Sequence, residues 1–393
     1  MGGARLDKTF SVNGTRTTTL SSDSVLALST GDPTLYEPFW QKMGDKCKVE
    51  IDSVALMSYF SDMKNVCWFL EPELGDSIKR LHHVVGNAVT DDRHIVVGTG
   101  STQLFQAALY ALTTPAGPEP VSIVSSAPYY SSYPEVVQIL RSGLYKWAGD
   151  AYAFDKDEPY IEVVNTPNNP DGTTREAVVK NGNGKGKLIY DFAYYWPQYT
   201  AITSAADHDI MLFTLSKCTG HAGSRIGWAL VKDKNIAQKM IEYITISSIG
   251  ISKESQIRAA KIIGVLCDGC QNVGSKESEN FFEFSRNLMV KRWQKLSEAL
   301  QHSKCFTVSK HPREHCLFTG EFTETQPGFA WLKCKEDIED CFEFLKGLKI
   351  IGRGGKFFGV DPKFARVSLM SREEEFNQFI ERILSIKGIS NGH

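Results

Sequence analysis

Lys217 closes the apolar run DIMLFTLSK (209–217), and Arg225 follows it eight residues later, across a stretch of small residues. A long amine at the tip of a buried strand is costly to place unless it is paired or reacts. Polar residues recur at the ends of other apolar runs. Ser101 and Thr102 follow HIVVGTG (94–100), Asn169 lies in the turn after YIEVVN, and Asp191 and Tyr194 stand in GKLIYDFAYY (186–195). Singly, each has a plain structural reading. Ser-Thr opening a helix is a cap, Asn-Pro-Asp-Gly is a turn, and a loop lysine is ordinarily solvated. Together they suit one ligand. Lysine condenses with a carbonyl, and an apolar or cationic setting lowers its pKa so that the amine is free to react. A carboxylate opposite a pyridine nitrogen keeps it protonated, so the ring accepts electrons. Asn and Tyr hydrogen-bond a ring oxygen, and a helix N-terminus with hydroxyls and an arginine suits a phosphate dianion. These needs describe pyridoxal 5′-phosphate.

The elements that must position these groups can be read from the same runs. HIVVGTG, PVSIVSSAPYY (120–130), YIEVVNTPNNPDG (160–172), GKLIYDFAYY, DIMLFTLSK and GWALV (227–231) read as strands of near-continuous apolar character. Helical segments separate many of them; one starts at Ser101 or Thr102. That alternation predicts an α/β protein whose mostly parallel sheet is covered on both faces, with ligand groups at the C-terminal strand ends. After about residue 250 the texture becomes α+β. FFEFSRNLMVKRWQKLSEALQ reads as a long amphipathic helix with its cations on one side, PGFAWLKCK and KFARVSLM as strands, and REEEFNQFIERILSI as a closing helix.

Composition narrows the class. The chain has 393 residues, 42% hydrophobic and 23% charged, with a formal net charge of −2, so no basic field favours nucleic acid or an anionic membrane. No apolar stretch approaches the ~20 residues that span a bilayer, and the first residues lack the apolar core of a secretory signal. Nine scattered cysteines therefore read as reduced thiols of a cytoplasmic protein. Cys267 and Cys270 form a lone C-x-x-C without a second ligand pair, His82 and His83 read as helix surface, and no metal site is expected. His221 reads as a turn residue, GRGGK (352–356) lacks the order of a nucleotide loop, and NGNGKGK (181–187) reads as a flexible loop.

The motifs LMSYFSDM, WFLEPEL, VVGTGSTQL, NTPNNPDG, DFAYYWP and LSKCTGHAGSRIGWALVKD together resemble the plant tryptophan aminotransferases of auxin synthesis. That branch belongs with alliinase in one subfamily of fold-type I pyridoxal-phosphate enzymes, and the likeness runs from about Gly31 to the C-terminus. It implies a mostly parallel seven-stranded large-domain sheet and a smaller α+β C-terminal domain. The expected division is a disordered tail over 1–23, an arm associated with the small domain over 24–55, a large cofactor-binding domain over 56–280 and a small domain over 281–393. By the same resemblance Lys217 is the covalent attachment point, Asp191 pairs with the ring nitrogen, and Asn169, rather than Asn168, meets the ring oxygen with Tyr194. Ser101, Thr102, Thr214, Ser216 and Arg225 surround the phosphate. Tyr130 stacks on the ring, with Tyr129 a close rival. Tyr59 reaches the phosphate from a neighbouring subunit, which implies a homodimer. Arg366 holds the substrate carboxylate beside Gly31, while Arg372, at the head of an acidic helix, reads as solvated.

The implied activity is transamination of L-tryptophan with pyruvate, giving indole-3-pyruvate and L-alanine. Two other enzyme readings use the same core: β-elimination by a C–S lyase of the alliinase kind, and transamination of another aromatic amino acid. A non-catalytic cofactor-fold protein is disfavoured because Lys217 and Asp191 are both present.

Overall fold

The computed structural model of the protein describes residues 21, 23–114, 117–179, 186–271 and 279–386. The expected tail over 1–23 and the loop 181–187 fall almost wholly outside the described residues.

Seven strands form the main sheet: β1 (His94–Gly98), β2 (Val121–Ser125), β3 (Tyr145–Asp150), β4 (Tyr160–Asn165), β5 (Gly186–Asp191), β6 (Ile210–Thr214) and β7 (Gly227–Val231). Their order is β1-β7-β6-β5-β4-β2-β3, parallel except that β7 runs antiparallel to both of its neighbours. The fold is α/β, built on a seven-stranded, mostly parallel sheet. β4, β6 and β7 are buried along their whole length, which explains their near-continuous apolar sequences: a sheet covered on both faces has no polar side.

β3 has no counterpart among the strands expected from sequence. It is the edge strand, YKWAGD, with Lys146 exposed and a register irregularity against β2. A charge and a bulge are what a sheet edge needs to resist further pairing, and they erase the apolar signature.

Helices α1 (Pro72–Val85), α2 (Gly100–Thr113), α3 (Ser132–Leu140), α4 (Lys234–Ser248) and α5 (Lys253–Gln271) surround the sheet, with α2 packed on α4 and on β6 and β7, and α1 on α5. His82 on α1 is a correction to the surface reading. It is 0% exposed, lies beside Trp196, and accepts at Nε2 from Trp228 Nε1–H at 2.9 Å. Its Nδ1 then carries the proton and donates to Asn87 Oδ1 at 2.7 Å. Helix periodicity alone did not separate it from exposed His83.

The long α6 (Phe281–Ser303) leads into a second, antiparallel sheet built from β8 (Phe306–Thr307), β9 (Phe329–Cys334), β10 (Arg353–Gly354) and β11 (Phe364–Ser368), in the order β10-β11-β9-β8. α7 (Glu373–Leu384) closes the described chain against α6. Leu26–Ala27 pairs in parallel with Ile350–Ile351, so this stretch lies on the second unit. The cations of α6 do not all share a wet face. Arg292 is 2% exposed, donates to the carbonyls of Leu369 and Ser371 at 2.6 Å each, and meets Glu373. Arg372 is also paired rather than free: its Nε donates to Glu37 Oε2 at 2.7 Å.

Candidate active site

Register fixes the floor of the site. Asn165 and Asp191 stand opposite each other at the ends of β4 and β5, while Gly227 at the start of β7 faces Thr214 on one side and Gly98 on the other. A cavity of about 280 Å³ opens over this edge.

After β6 the chain turns into a single helical turn, Leu215–Cys218, whose Ser216 N–H donates to Thr214 Oγ1 at 3.3 Å. Lys217 rides on that turn and reaches into the cavity. Gln198 Nε2 donates to the carbonyls of Lys217 and Cys218 at 3.0 and 3.1 Å, and so fixes the backbone beneath the amine. Lys217 Nζ donates to the Gly31 carbonyl and lies 5.8 Å from the centre of the Tyr194 ring. Burial first, then the charges of Arg366 and Arg225, lower its pKa from 10.5 to about 8, against an upward pull from Asp32. A free amine at near-neutral pH is a nucleophile and a base. Gly31 has a steric reason: a Cβ there would lie 2.9 Å from Lys217 Nζ and 2.8 Å from the Phe329 ring.

Asp191 is buried and held from two sides. Tyr133 on α3 donates its hydroxyl to Oδ2 at 2.7 Å, and the Ala193 N–H donates to Oδ1 at 3.0 Å. Burial raises the carboxyl above its ordinary value and these two donors pull it back. Both donors are neutral, so a cationic ring nitrogen would supply the counter-charge that a buried carboxylate needs.

The opposite end of the cavity suits an anion. The first turn of the 14-residue α2 has no side-chain cap, and Ser101 and Thr102 present their hydroxyls there. Gly100 takes φ +73°, and a Cβ on it would meet Arg225 Nη2 at 2.6 Å, so only glycine lets the guanidinium come this close to the helix start. Helix N–H groups, two hydroxyls and an arginine form an anion cradle. The donor set fits pyridoxal phosphate from end to end.

Every site residue expected from the sequence lines this cavity except Tyr59. Tyr59 is 68% exposed and lies apart from it. Tyr130 lines the cavity, whereas Tyr129 packs edge-on against Trp147. Asn169 lines it too, while the Asn168 amide donates to Pro128 O and Asp171. The Asn169 side chain accepts from Arg366 Nη1 at 2.8 Å, so in this structure it orients the arginine. Arg366 also donates to the Ser29 carbonyl and stacks on Phe329 and Phe358, at 4.1 and 5.1 Å from the ring centres. Burial brings its pKa down to about 10, which leaves it charged at pH 7. Burial raises the Tyr194 hydroxyl well above its ordinary value, so it stays a donor. His221 is neutral: its imidazole packs on Trp40, its Nδ1 meets Thr219 Oγ1 at 2.9 Å, and burial lowers it to about 4.

Sequence reasoning missed Asn165, Tyr133, Gln198 and Arg353. Asn165 Nδ2 donates to the Asp191 carbonyl at 3.0 Å and its Oδ1 accepts from the Asn169 N–H at 2.7 Å, tying two functional loops together. Its strand-end place in VVNTPNNP was a usable signal. Tyr133 and Gln198 sit in helical or loop context with no local pattern to betray them.

The family described as allinase matches residues 26–387. The chain belongs to the alliinase family. Tryptophan aminotransferase-related protein 2 of Arabidopsis thaliana is 53% identical over 364 residues, covering 92% of this chain and 82% of the relative. Alliin lyase of Allium cepa var. aggregatum is 35% identical over 364 residues, covering 90% and 79%. Among solved structures, an aminotransferase from Staphylococcus aureus superposes with a TM-score of 0.65 at 17% identity, covering 92% of this chain and 93% of that one, which is a likeness of fold. As a member of this family, the chain is a pyridoxal-phosphate enzyme. Among its described residues, no helix is long and apolar enough to cross a membrane.

Proposed function

We propose that this alliinase-family protein transfers the amino group of L-tryptophan to pyruvate, yielding indole-3-pyruvate and L-alanine, an auxin precursor step in plants. The observation that carries pyridoxal-phosphate chemistry on an amino acid is the placement of Lys217, Asp191 and Arg366 around one cavity: an amine near neutrality, a buried carboxylate and a carboxylate-binding guanidinium. Amino transfer rather than elimination, and tryptophan as donor, rest on the aminotransferase-related names of relatives at 51–53% identity.

Bound pyridoxal phosphate supplies a carbonyl that condenses with amines and a protonated ring that accepts an electron pair. The chain does the rest. Arg366 grips the substrate carboxylate and Phe329 and Phe358 fix the guanidinium plane. Lys217 would be the amine that holds the cofactor and, when free, the base that takes and returns the Cα proton, as its lowered pKa allows. Asp191 keeps the ring nitrogen protonated, with Tyr133 fixing its carboxylate. Tyr194 and Asn169 would meet the ring oxygen, Tyr130 would cover the ring, and Ser101, Thr102, Thr214, Ser216 and Arg225 would hold the phosphate.

In this reading residues 56–280 form the cofactor-binding domain, and 281–393, joined by the arm 24–55, carry Arg366. The enzyme works as a homodimer in the cytoplasm. Support for the dimer is an exposed apolar stretch with Met57 at 81%, Tyr59 at 68% and Met63 at 70% exposure, which a second copy would cover while bringing Tyr59 to the phosphate. Support for the compartment is that all nine cysteines are free thiols.

The test is a two-substrate assay across amino acids and keto acids. Equimolar indole-3-pyruvate and alanine from tryptophan and pyruvate are the expected products. Release of pyruvate and ammonia from a cysteine sulfoxide, with no amino transfer, would replace this reading with the lyase one that the Allium cepa relative's name favours.

A further inference from the structure

A fourth cation lines the cavity beside the three already assigned. Arg353 on β10 stands directly opposite Arg366 on β11 in the antiparallel register, so the two arginines are cross-strand neighbours. Like charges so placed repel unless something offsets them. Glu135, in the first turn of α3, forms an ion pair with Arg353 Nη2. The guanidinium also stacks on Phe357 at 4.8 Å, and its Nε–H is buried without a partner. Arg353 thus has one face spent on a carboxylate of the protein and a donor left unmet beside the substrate-carboxylate arginine.

We propose that the Arg353–Glu135 pair determines specificity by selecting against substrates with a second carboxylate. A monocarboxylic amino or keto acid needs only Arg366. A dicarboxylic acid brings its distal carboxylate toward Arg353, where it must displace Glu135 and bear the repulsion of that carboxylate. With Glu135 made neutral, Nη2 and the unmet Nε–H of Arg353 together form a fork of the kind that binds carboxylates. The pair therefore masks a latent second-carboxylate site and keeps the neighbouring arginines from repelling each other. In line with this, Arg353 lowers the pKa of Arg366 and Glu135 raises it. Glu135 acts through Arg353 and touches no substrate.

This inference rests on the transaminase reading for its substrates, but its measurement does not. Binding of succinate and of propionate to the holoenzyme is measured by calorimetry for wild type, Glu135→Gln, and Glu135→Gln with Arg353→Gln. The ratio of pyruvate to 2-oxoglutarate kcat/KM is measured alongside. Glu135→Gln is expected to tighten succinate relative to propionate by about fivefold, the scale of a half-exposed ion pair, and to lower the kinetic preference for pyruvate similarly. The double variant is expected to lose both gains. Equal changes for the two acids, or a gain that survives removal of Arg353, would overturn the proposal. No amino transfer by the wild type would sink the transaminase reading while leaving the succinate comparison intact.

Discussion

Lys217 carries an amine that burial and neighbouring guanidinium groups hold at about 8. In the cofactor-free protein its reactive form should therefore grow about tenfold per pH unit below that value and level off above it. Reductive methylation followed by peptide mass spectrometry should show Lys217 modified at pH 7.5 far ahead of surface lysines. A rate still climbing beyond pH 10 would mean the amine is not depressed. Lys217→Ala should abolish turnover and leave the cofactor bound without a covalent bond; multiple turnovers in that variant would refute its role. Tyr133 adds a sharper test of the ring-nitrogen partner. Tyr133→Phe removes the hydroxyl that donates to Asp191 at 2.7 Å, and a hydrogen bond to a charged group contributes about 1.5–3 kcal/mol. Cofactor affinity should fall on the order of tenfold, and the pH at which the bound cofactor changes its absorbance should move. Unchanged affinity and spectrum would place the support of Asp191 elsewhere.

At the level of elements, the strand ends that carry the site were legible because buried parallel strands leave little besides apolar runs with abrupt polar exits. Asp191 and Lys217 announced themselves that way, Arg225 by its short distance from Lys217, and the helix opening at Ser101 or Thr102 by its apolar spacing. Edge strand β3 was not legible, since its charged, irregular sequence is what keeps an edge unpaired. Neither was the pairing of Arg372 with Glu37, which joins residues far apart in sequence. His82 was misplaced for a related reason: what makes it buried is Trp228 on β7 and Asn87 beyond its own helix. That network ties α1 to the sheet behind the site and, through Asn87 Nδ2, to the carbonyl of Tyr195 next to Tyr194. It also gives a pH dependence. His82 is neutral with a pKa of about 4, below the 6.5 of an unfolded histidine. Its contribution is therefore complete above pH 6.5 and is lost as pH falls from 6.5 to 4, a span that corresponds to about 3 kcal/mol. Protonation also ends the acceptor role of Nε2 toward Trp228. Denaturant unfolding of wild type and His82→Gln should show a stability gap at pH 7 that narrows toward pH 4.5. A gap constant over that range would mean that His82 does not titrate with unfolding.

For the whole molecule, the position of Tyr59 poses the decisive question. Every other expected site residue meets in one cavity within a single chain, and Tyr59, in an exposed apolar stretch, does not. A closed two-fold dimer that buries this stretch would give each cavity one tyrosine from the other copy. The consequence can be tested without a structure of the dimer. Lys217→Ala inactivates its own cavity but still offers Tyr59 to its partner, and Tyr59→Ala does the reverse. Co-refolded in equal amounts with free exchange, half of the dimers would be mixed, and each mixed dimer would hold one cavity with both residues. Turnover should then recover to about one quarter of the wild-type value, above the mean of the two variants alone. If Tyr59 serves its own chain or none, mixing creates no complete cavity and activity stays at that mean. Charge placed on the same stretch, as in Met57→Glu with Met63→Glu, should lower both the sedimentation coefficient and the cofactor affinity. Were the affinity to hold in a monomer, the phosphate cradle of Ser101, Thr102 and Arg225 would be sufficient by itself and the dimer would serve another purpose.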